Sequence, residues 1–567
     1  MVSRITYYPQ RPSELSPKWV EQAYQPIVTR LKEAESAADE KVWLELYGRW
    51  NELRRFHATF YSKTSHASNA DMRNEANEAK VKYLNDHISP VAQKFDSEII
   101  GAFIATRHRP ALEKRLGKQL FCALEVDIKP LHPINSDLRI QESQRGMDYG
   151  KLVASAQIDW NGEKLTVQRV SAFAVSPDPA VRKAAFVKVR EWFAAHRKEL
   201  AEIYGDLVRI RTQMAKNLGD PNFISLGYLR MGRTDYGPRE AQGFRDGILK
   251  YVVPLQTEMH QALARVHGTP ELTLWDSSYD PETTLPMGIS PIAGQLDRAQ
   301  KIFEQISPRL SGHFSMMRER ELIDLENRPG KRAGAYCTSF VDEGVPAILC
   351  NSVGNASDVG TLMHEMGHAF QVAESLAAIE SIDLLSPTLD ACEIHSMGME
   401  YISLNYMQEY FSKEDAIKFR QDRYGNAVEL LCYVAIVDEF QHWIYENPSE
   451  SIDARDQAWM RIWKKYKPSI SFGDREDLAP MRWYQQGHIF GAPFYYIDYA
   501  IAEIGALQLG MKYQKDSKST ITTYIDLCRW GGTKSVLEIF KDAGLDSPFE
   551  PQTMSGLMQH ARKELGL

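Results

Sequence analysis

SDVGTLMHEMGHAFQVAES, residues 357–375, decides what kind of chain this is. Its pattern reads as a helix, with Ser357 or Asp358 placed to cap the start. Inside it, His364-Glu365-Met366-Gly367-His368 is an HExxH motif. At about 100° per residue, His368 returns to within about 40° of His364 one turn along the axis, so both imidazoles can reach one metal ion, with Glu365 beside them. A catalytic zinc site takes three protein ligands and leaves a fourth position for water, whose proton a neighbouring carboxylate can accept.

The third ligand should come from a second helix. LDACEIHSMGMEYISL (389–404) puts Asp390, Glu393, Met397 and Glu400 on one helical stripe. Glu393 is the choice for the third ligand. Glu400, two turns on, reads as a supporting or structural acid. Asp390 is placed either to orient an imidazole by accepting its other N–H or to serve as a buried or capping acid. His395 lies about 200° around the helix from Glu393 and reads poorly as a ligand. Two imidazoles and a carboxylate with an open position favour Zn²⁺, although Co²⁺ or Mn²⁺ fit the same donors.

Outward from this centre the chain is mainly α. On the N-terminal side, AGAYCTSF (333–340) and PAILCNSV (346–353), joined by VDEGV, read as paired strands. Residues 16–103 carry apolar residues at three-and-four spacing among Glu, Lys and Ala, and predict amphipathic helices. SAQIDW and KLTVQRV flank Asn161-Gly162 and predict a hairpin over 155–170. Asp178 and Pro179 are a cap and first residue for a helical run to about Asn217, with further helix over 239–266, 295–319 and most of the chain beyond Asp358. The expected organisation is an N-terminal helical region with a short hairpin over 1–200 and a catalytic domain over 201–567.

The 567 residues, with 43% hydrophobic and 25% charged, suit a folded chain of several units. A net charge of −8, with scattered basic residues, argues against nucleic acid as a partner. The most apolar-looking candidate span, 494–511, is interrupted by Asp498 and Glu503, which argues against a membrane partner. MVSRITYYPQRPSEL lacks the apolar stretch of a secretory signal, so a cytoplasmic address is the default. Cys122, Cys337, Cys350, Cys392, Cys432 and Cys528 show no CxxC spacing and read as reduced thiols; the sequon at Asn355 then carries little weight. Neither GxxxxGK[ST], a strand-bound GxGxxG nor GxSxG is present, which leaves nucleotide and serine-hydrolase readings without support.

HEMGHAF (364–370) and EIHSMGME (393–400) together resemble the thimet oligopeptidase and oligoendopeptidase F group of zinc metallopeptidases, most closely its bacterial oligoendopeptidase branch. Glu393, 29 positions beyond His364, matches the spacing of that family's third ligand. YLRMGRTDYG (228–237), RAGAYCTS (332–339) and GHIFGAPFYYIDYAIAEIGALQL (487–509) extend the resemblance over roughly residues 200 to 567. It implies an endopeptidase for short peptides, built as two helical lobes around a deep channel, with one Zn²⁺ on the channel wall and Glu365 as general base. It also implies that Gly334, Ala335 and Tyr336 offer an edge to the substrate backbone. His488, Tyr496 and Tyr499 match the family's substrate-binding His and Tyr region, and Tyr495 competes with both tyrosines for the role of donor to the developing oxyanion. Phe490-Gly491-Ala492-Pro493 departs from the Gly-rich run of the thimet-like enzymes, which leaves the pairing of single tyrosines open.

A zinc carboxypeptidase or dipeptidase on a related helical fold shares the HExxH and the Glu. It needs a cationic anchor for a substrate carboxylate, and Arg482 and Arg230 are the nearest candidates. A non-catalytic peptide-binding protein with a structural metal would not require Glu365.

Overall fold

The computed structural model describes residues 14–37, 39–285 and 292–567. Of the stretch read for an export signal, positions 1–13 lie outside the described residues. Helices Pro17–Glu35, Lys41–Ala70 (α1) and Ser89–Ala105 each bury one apolar stripe, as with Trp43, Leu46, Trp50 and Leu53 on α1. Trp43 meets Phe103 edge-on with ring centroids 4.9 Å apart. This core draws on Leu15 to Leu124, joined by Leu384. A second core gathers residues from Ala156 to Ala561. The apolar interior therefore divides between Leu124 and Ala156. Periodicity tells which face of a helix is apolar, not which core that face joins.

The hairpin forms, but shorter than expected: Ile158–Trp160 (β1) pairs with Glu163–Leu165 (β2). Asn161 (φ 54°) and Gly162 (φ 88°) supply the two left-handed residues of its turn. Thr166 then accepts a hydrogen bond from the Arg169 N–H and starts a short helix where KLTVQRV suggests strand. Asp178 caps Pro179–Ala195 (α2) through a 2.8 Å bond from the Ala180 N–H, as expected, although the run breaks at His196 before Arg197–Asn217. The helix expected over 295–319 is likewise split, at Pro308, which cannot donate into the preceding turn.

Beside the HExxH segment lies a three-stranded sheet of Ile323–Glu326 (β3), Tyr336–Phe340 (β4) and Val345–Ser352 (β5), in the order β3-β5-β4. β4 and β5 are antiparallel, with Tyr336 opposite Leu349, whereas β3 runs parallel to β5, so the sheet is mixed rather than antiparallel throughout. A short parallel pair, Leu272–Thr273 with Ile470–Ser471, is a further unexpected element. As the central strand, β5 is buried from Val345 to Cys350.

From β5 the chain turns into the HExxH helix, Ala356–Ala378 (α3). Asn355, not Ser357 or Asp358, is its cap: its side chain accepts the Asp358 N–H at 3.1 Å. Asp358 instead gathers the N–H groups of Val353, Gly354 and Asn355 on one carboxylate oxygen at 2.6–2.9 Å, which fixes the strand-to-helix turn. Leu389–Ser403 (α4) packs on α3, Tyr496–Lys515 (α6) packs on α4, and Lys413–Glu446 (α5) packs on α6. A Cβ on Gly367 would stand 2.5 Å from the His395 carbonyl oxygen, so the motif's glycine is what lets α4 approach α3. Val359, Leu362, Met363, Met366 and Phe370 anchor α3, each contributing about 1.5–3 kcal/mol of burial.

Candidate active site

That close approach puts three donor atoms together. The Nε2 atoms of His364 and His368 lie 3.2 and 3.3 Å from Glu393 Oε2, and the ligand atoms of all three residues fall within 4.8 Å of one another. Two imidazoles on one helix and a carboxylate from the next are a donor set that fits Zn²⁺ with one position left open. Against the cost of burial, Glu393 and Glu400 push the His364 imidazole up to about 9. Burial raises the Glu393 carboxyl, but the two imidazoles outweigh it and hold it far below the usual carboxylate range. Glu365 is buried and raised first by burial, and its Oε2 has no hydrogen-bond partner among the described residues.

Glu400 sits behind the first histidine. Its carboxylate is 2.7 Å from His364 Nδ1 and pairs with Arg423 of α5, which also reaches Glu503 of α6 at 3.0 Å; Tyr401 donates to Glu503 in turn. With Nδ1 given to Glu400, His364 presents Nε2 to the ligand cluster. His368 has no such carboxylate; Cys392 Sγ lies 3.9 Å from its Nδ1. Asp390 does not orient an imidazole. It is buried near Thr388, Arg233 and Tyr236, its carboxyl raised first by burial. His395 points away from the cluster, its Nδ1 3.2 Å from the Cys392 carbonyl, and burial first pushes it down to about 4.

His488 and the three tyrosines gather in one wall of aromatic rings. The His488 ring lies 5.0 Å from Tyr496, 5.9 Å from Tyr495 and 6.2 Å from Tyr499. Burial first raises the Tyr495 and Tyr499 hydroxyls, and the charge of Glu393 adds to both. Tyr496 instead feels Arg482 and bonds toward Gln486. Tyr433 donates to Gln486 Oε1 at 2.8 Å, which turns the Gln486 amide N–H toward His488 Nδ1, also at 2.8 Å. The proton of a neutral His488 is thereby placed on Nε2, and burial lowers its pKa, which disfavours the charged form.

The loop that carries this wall is tied from below. Arg211 donates to the carbonyls of Ile489, at 3.3 Å, and Phe490; Arg233 donates to the Phe494 carbonyl and to Asp498 at 2.7 Å. Phe494 is a non-glycine residue at φ 69°, and a Cβ on Gly227 would come within 2.5 Å of its ring. The segment 227–237 thus holds a strained residue of the loop in place.

Within its sheet, β4 is an edge strand. Gly334 (φ 89°) and Ala335 precede β4 rather than extend it; the Gly334 carbonyl accepts from Asn351 at 2.7 Å. The Tyr336 hydroxyl is engaged by α1, with His66 Nδ1 at 3.2 Å and Asn69 Nδ2 at 3.0 Å. Burial raises the thiol of its neighbour Cys337, and the charge of Glu365 adds to this.

Arg423, Tyr433, Gln486 and Gly367 act here without having stood out in the sequence. Only the glycine left a local trace, as the small residue inside HEMGH.

The chain is similar to known proteins along most of its length. The model of peptidase family M3 matches residues 172–558, and that of the M3 N-terminal domain matches 15–131. The oligoendopeptidase F homolog of Borreliella burgdorferi is 22% identical over 82% of this chain and 79% of its own length. Oligopeptidase PepF of Bacillus subtilis is 25% identical over 40% of this chain and 34% of its own. The solved structure of PZ peptidase A with an inhibitor superposes with a TM-score of 0.87 at 33% identity, covering 98% of both chains. Among the described residues, no helix is long and apolar enough to cross a membrane. The chain belongs to peptidase family M3, in its oligoendopeptidase F group.

Proposed function

We propose that this protein is a zinc-dependent endopeptidase that hydrolyses internal bonds of short peptides. The observation that carries the reading is the unpartnered, buried carboxylate oxygen of Glu365 beside the converging His364, His368 and Glu393. These three residues would hold one Zn²⁺, which when bound lowers the pKa of a water toward neutrality and polarises a peptide carbonyl. Glu365 accepts the proton of the attacking water and then passes it to the leaving amine. The Nε2–H of His488 and the hydroxyl of Tyr499, with Tyr495 behind it, donate to the carbonyl oxygen as it gains charge. Tyr496, turned toward Arg482, contributes to the wall. The substrate backbone lies along β4, with Gly334, Ala335 and Tyr336 at its entrance. A channel between two lobes would select peptides by length and flexibility. The free thiols of all six cysteines fit a reducing compartment such as the cytoplasm.

A short internally quenched peptide blocked at both ends tests this. The zinc-loaded protein should cut it internally, chelation should abolish cleavage and added zinc restore it. Glu365→Gln should lose roughly 10²–10⁴-fold in kcat while keeping its metal. Release of terminal residues alone from unblocked peptides would replace this reading with a carboxypeptidase or dipeptidase.

A further inference from the structure

The buried arginines of this protein are mostly matched with acids. Arg182 has Asp276, Arg211 has Glu142, Arg233 has Asp498 and Arg245 has Asp438. Arg455, which meets no acid among the described residues, donates to the Pro448 carbonyl at 3.2 Å. Arg190 has neither. It is 7% exposed, and its Nη1 is closed off from solvent without a hydrogen-bond partner among the described residues. Residues outside the described ones include no Asp or Glu, so no carboxylate there neutralises it.

A second unmatched cation lies on a helix that packs against the one carrying Arg190. This is Arg482, on the short helix Met481–Tyr484 packed on α2. Its guanidinium sits 4.5 Å above the Tyr433 ring and forms no ion pair among the described residues. Burial first, and then Arg482, push Arg190 down to about 9. Two like charges in a shared, half-dry place destabilise each other unless an anion joins them. Arg230 offers no such site, since its Nη1 is already 3.0 Å from both oxygens of Glu142.

The position is tied to the candidate active site by ring contacts. Tyr433 meets Tyr496 at 5.7 Å, and Tyr496 meets Tyr499 at 5.6 Å, on the side of Glu393. A few extended residues, at about 3.3–3.6 Å each, cover that span. A guanidinium fork matches a carboxylate bidentately, and the anion that a peptide carries is a carboxylate. We infer that Arg190 and Arg482 form a docking subsite for a substrate carboxylate, either the C-terminus or an acidic side chain a few residues from the cut bond. This rests on the peptidase reading above.

The test is binding, which does not depend on turnover. Fluorescence anisotropy with zinc-loaded Glu365→Gln would compare labelled peptides in two pairs: free C-terminal acid against amide, and internal Glu against Gln. A preference of at least about tenfold for the carboxylate member of one pair is expected, and the pair that shows it identifies the source. Adding Arg482→Gln, or separately Arg190→Gln, should bring that ratio toward one, and Arg482→Lys should restore part of it. Thermal melts of each variant confirm that it is folded. Equal affinities within both pairs, or a preference that survives both Arg→Gln changes, would overturn the subsite. Failure of the peptidase reading is separate: it would appear as no cleavage of any peptide by the zinc-loaded wild type, whatever its termini.

Discussion

The two walls of the candidate site treat charge in opposite ways. On the ligand side, His364, Glu400, Arg423, Glu503 and Tyr401 form a continuous chain in which every charge has a partner. On the aromatic side, Arg190 lies over the Phe186 ring and Arg482 over Tyr433, and neither meets an acid among the described residues. A closed network fixes geometry, which a metal centre needs, because each member restrains the next. An open cation costs stability and leaves a free valence for recognition, the exchange expected where function is favoured over stability.

The sharpest way to break this contrast is to remove one arginine from each wall. Arg423→Met leaves Glu400 and Glu503 buried without a cation and should cost about 3–5 kcal/mol, read as a large fall in Tm. Arg190→Met takes away an uncompensated buried charge and should be neutral or stabilising by roughly 1–3 kcal/mol. Equal losses from the two would erase the distinction.

The far end of α3 provides a pH version. Glu374, with no exposed surface, binds Arg309, His313 and Arg529, and although burial raises its carboxyl, these partners bring it down to about 2. A carboxyl depressed in the folded state adds stability that is complete above its unfolded value and is lost as pH falls through the folded value. Between pH about 4.5 and 2 the wild type should therefore lose roughly 2–3 kcal/mol that Glu374→Gln has already lost at neutral pH. Acid melts of both proteins should converge as pH falls. Closer to the metal, Glu400→Gln should weaken zinc affinity about 10–100-fold, measured by chelator competition.

What was legible in the sequence follows the range of each interaction. HExxH is local, and helix geometry alone carries it to a two-imidazole face. Glu393 and Glu400 could be read because they share one stripe of the next helix. The edge between β4 and β5 was visible, but β3 is four residues with two acids and has no alternation to read. Asn355 does not stand out as a cap in the sequence, because its bond depends on how β5 enters the helix. The tyrosines could not be ranked, since which of Tyr495, Tyr496 and Tyr499 faces Glu393 depends on the turn made at Phe494. Arg482 stood out as a cation, but its lack of an acid is a fact about several packed elements.

The smallest effect expected tests whether the aromatic wall also contains fixed geometry. Gln486 receives a hydrogen bond from Tyr433 on its oxygen, so its amide can only donate toward His488 Nδ1. That places the His488 proton on Nε2. Gln486→Glu reverses the demand: a carboxylate accepts from Nδ1–H, favours the other neutral tautomer, and raises the imidazole pKa that burial now lowers. Gln486→Leu removes the preference without reversing it. If the Nε2–H of His488 assists the reaction, Gln486→Glu should lower kcat about tenfold near neutral pH with little change in KM, more than Gln486→Leu does. NMR titration of the His488 ring should show its pKa rise in the Glu variant. A rise in pKa with unchanged kcat would leave His488 as packing, and would assign the donor role to Tyr499 with Tyr495 alone.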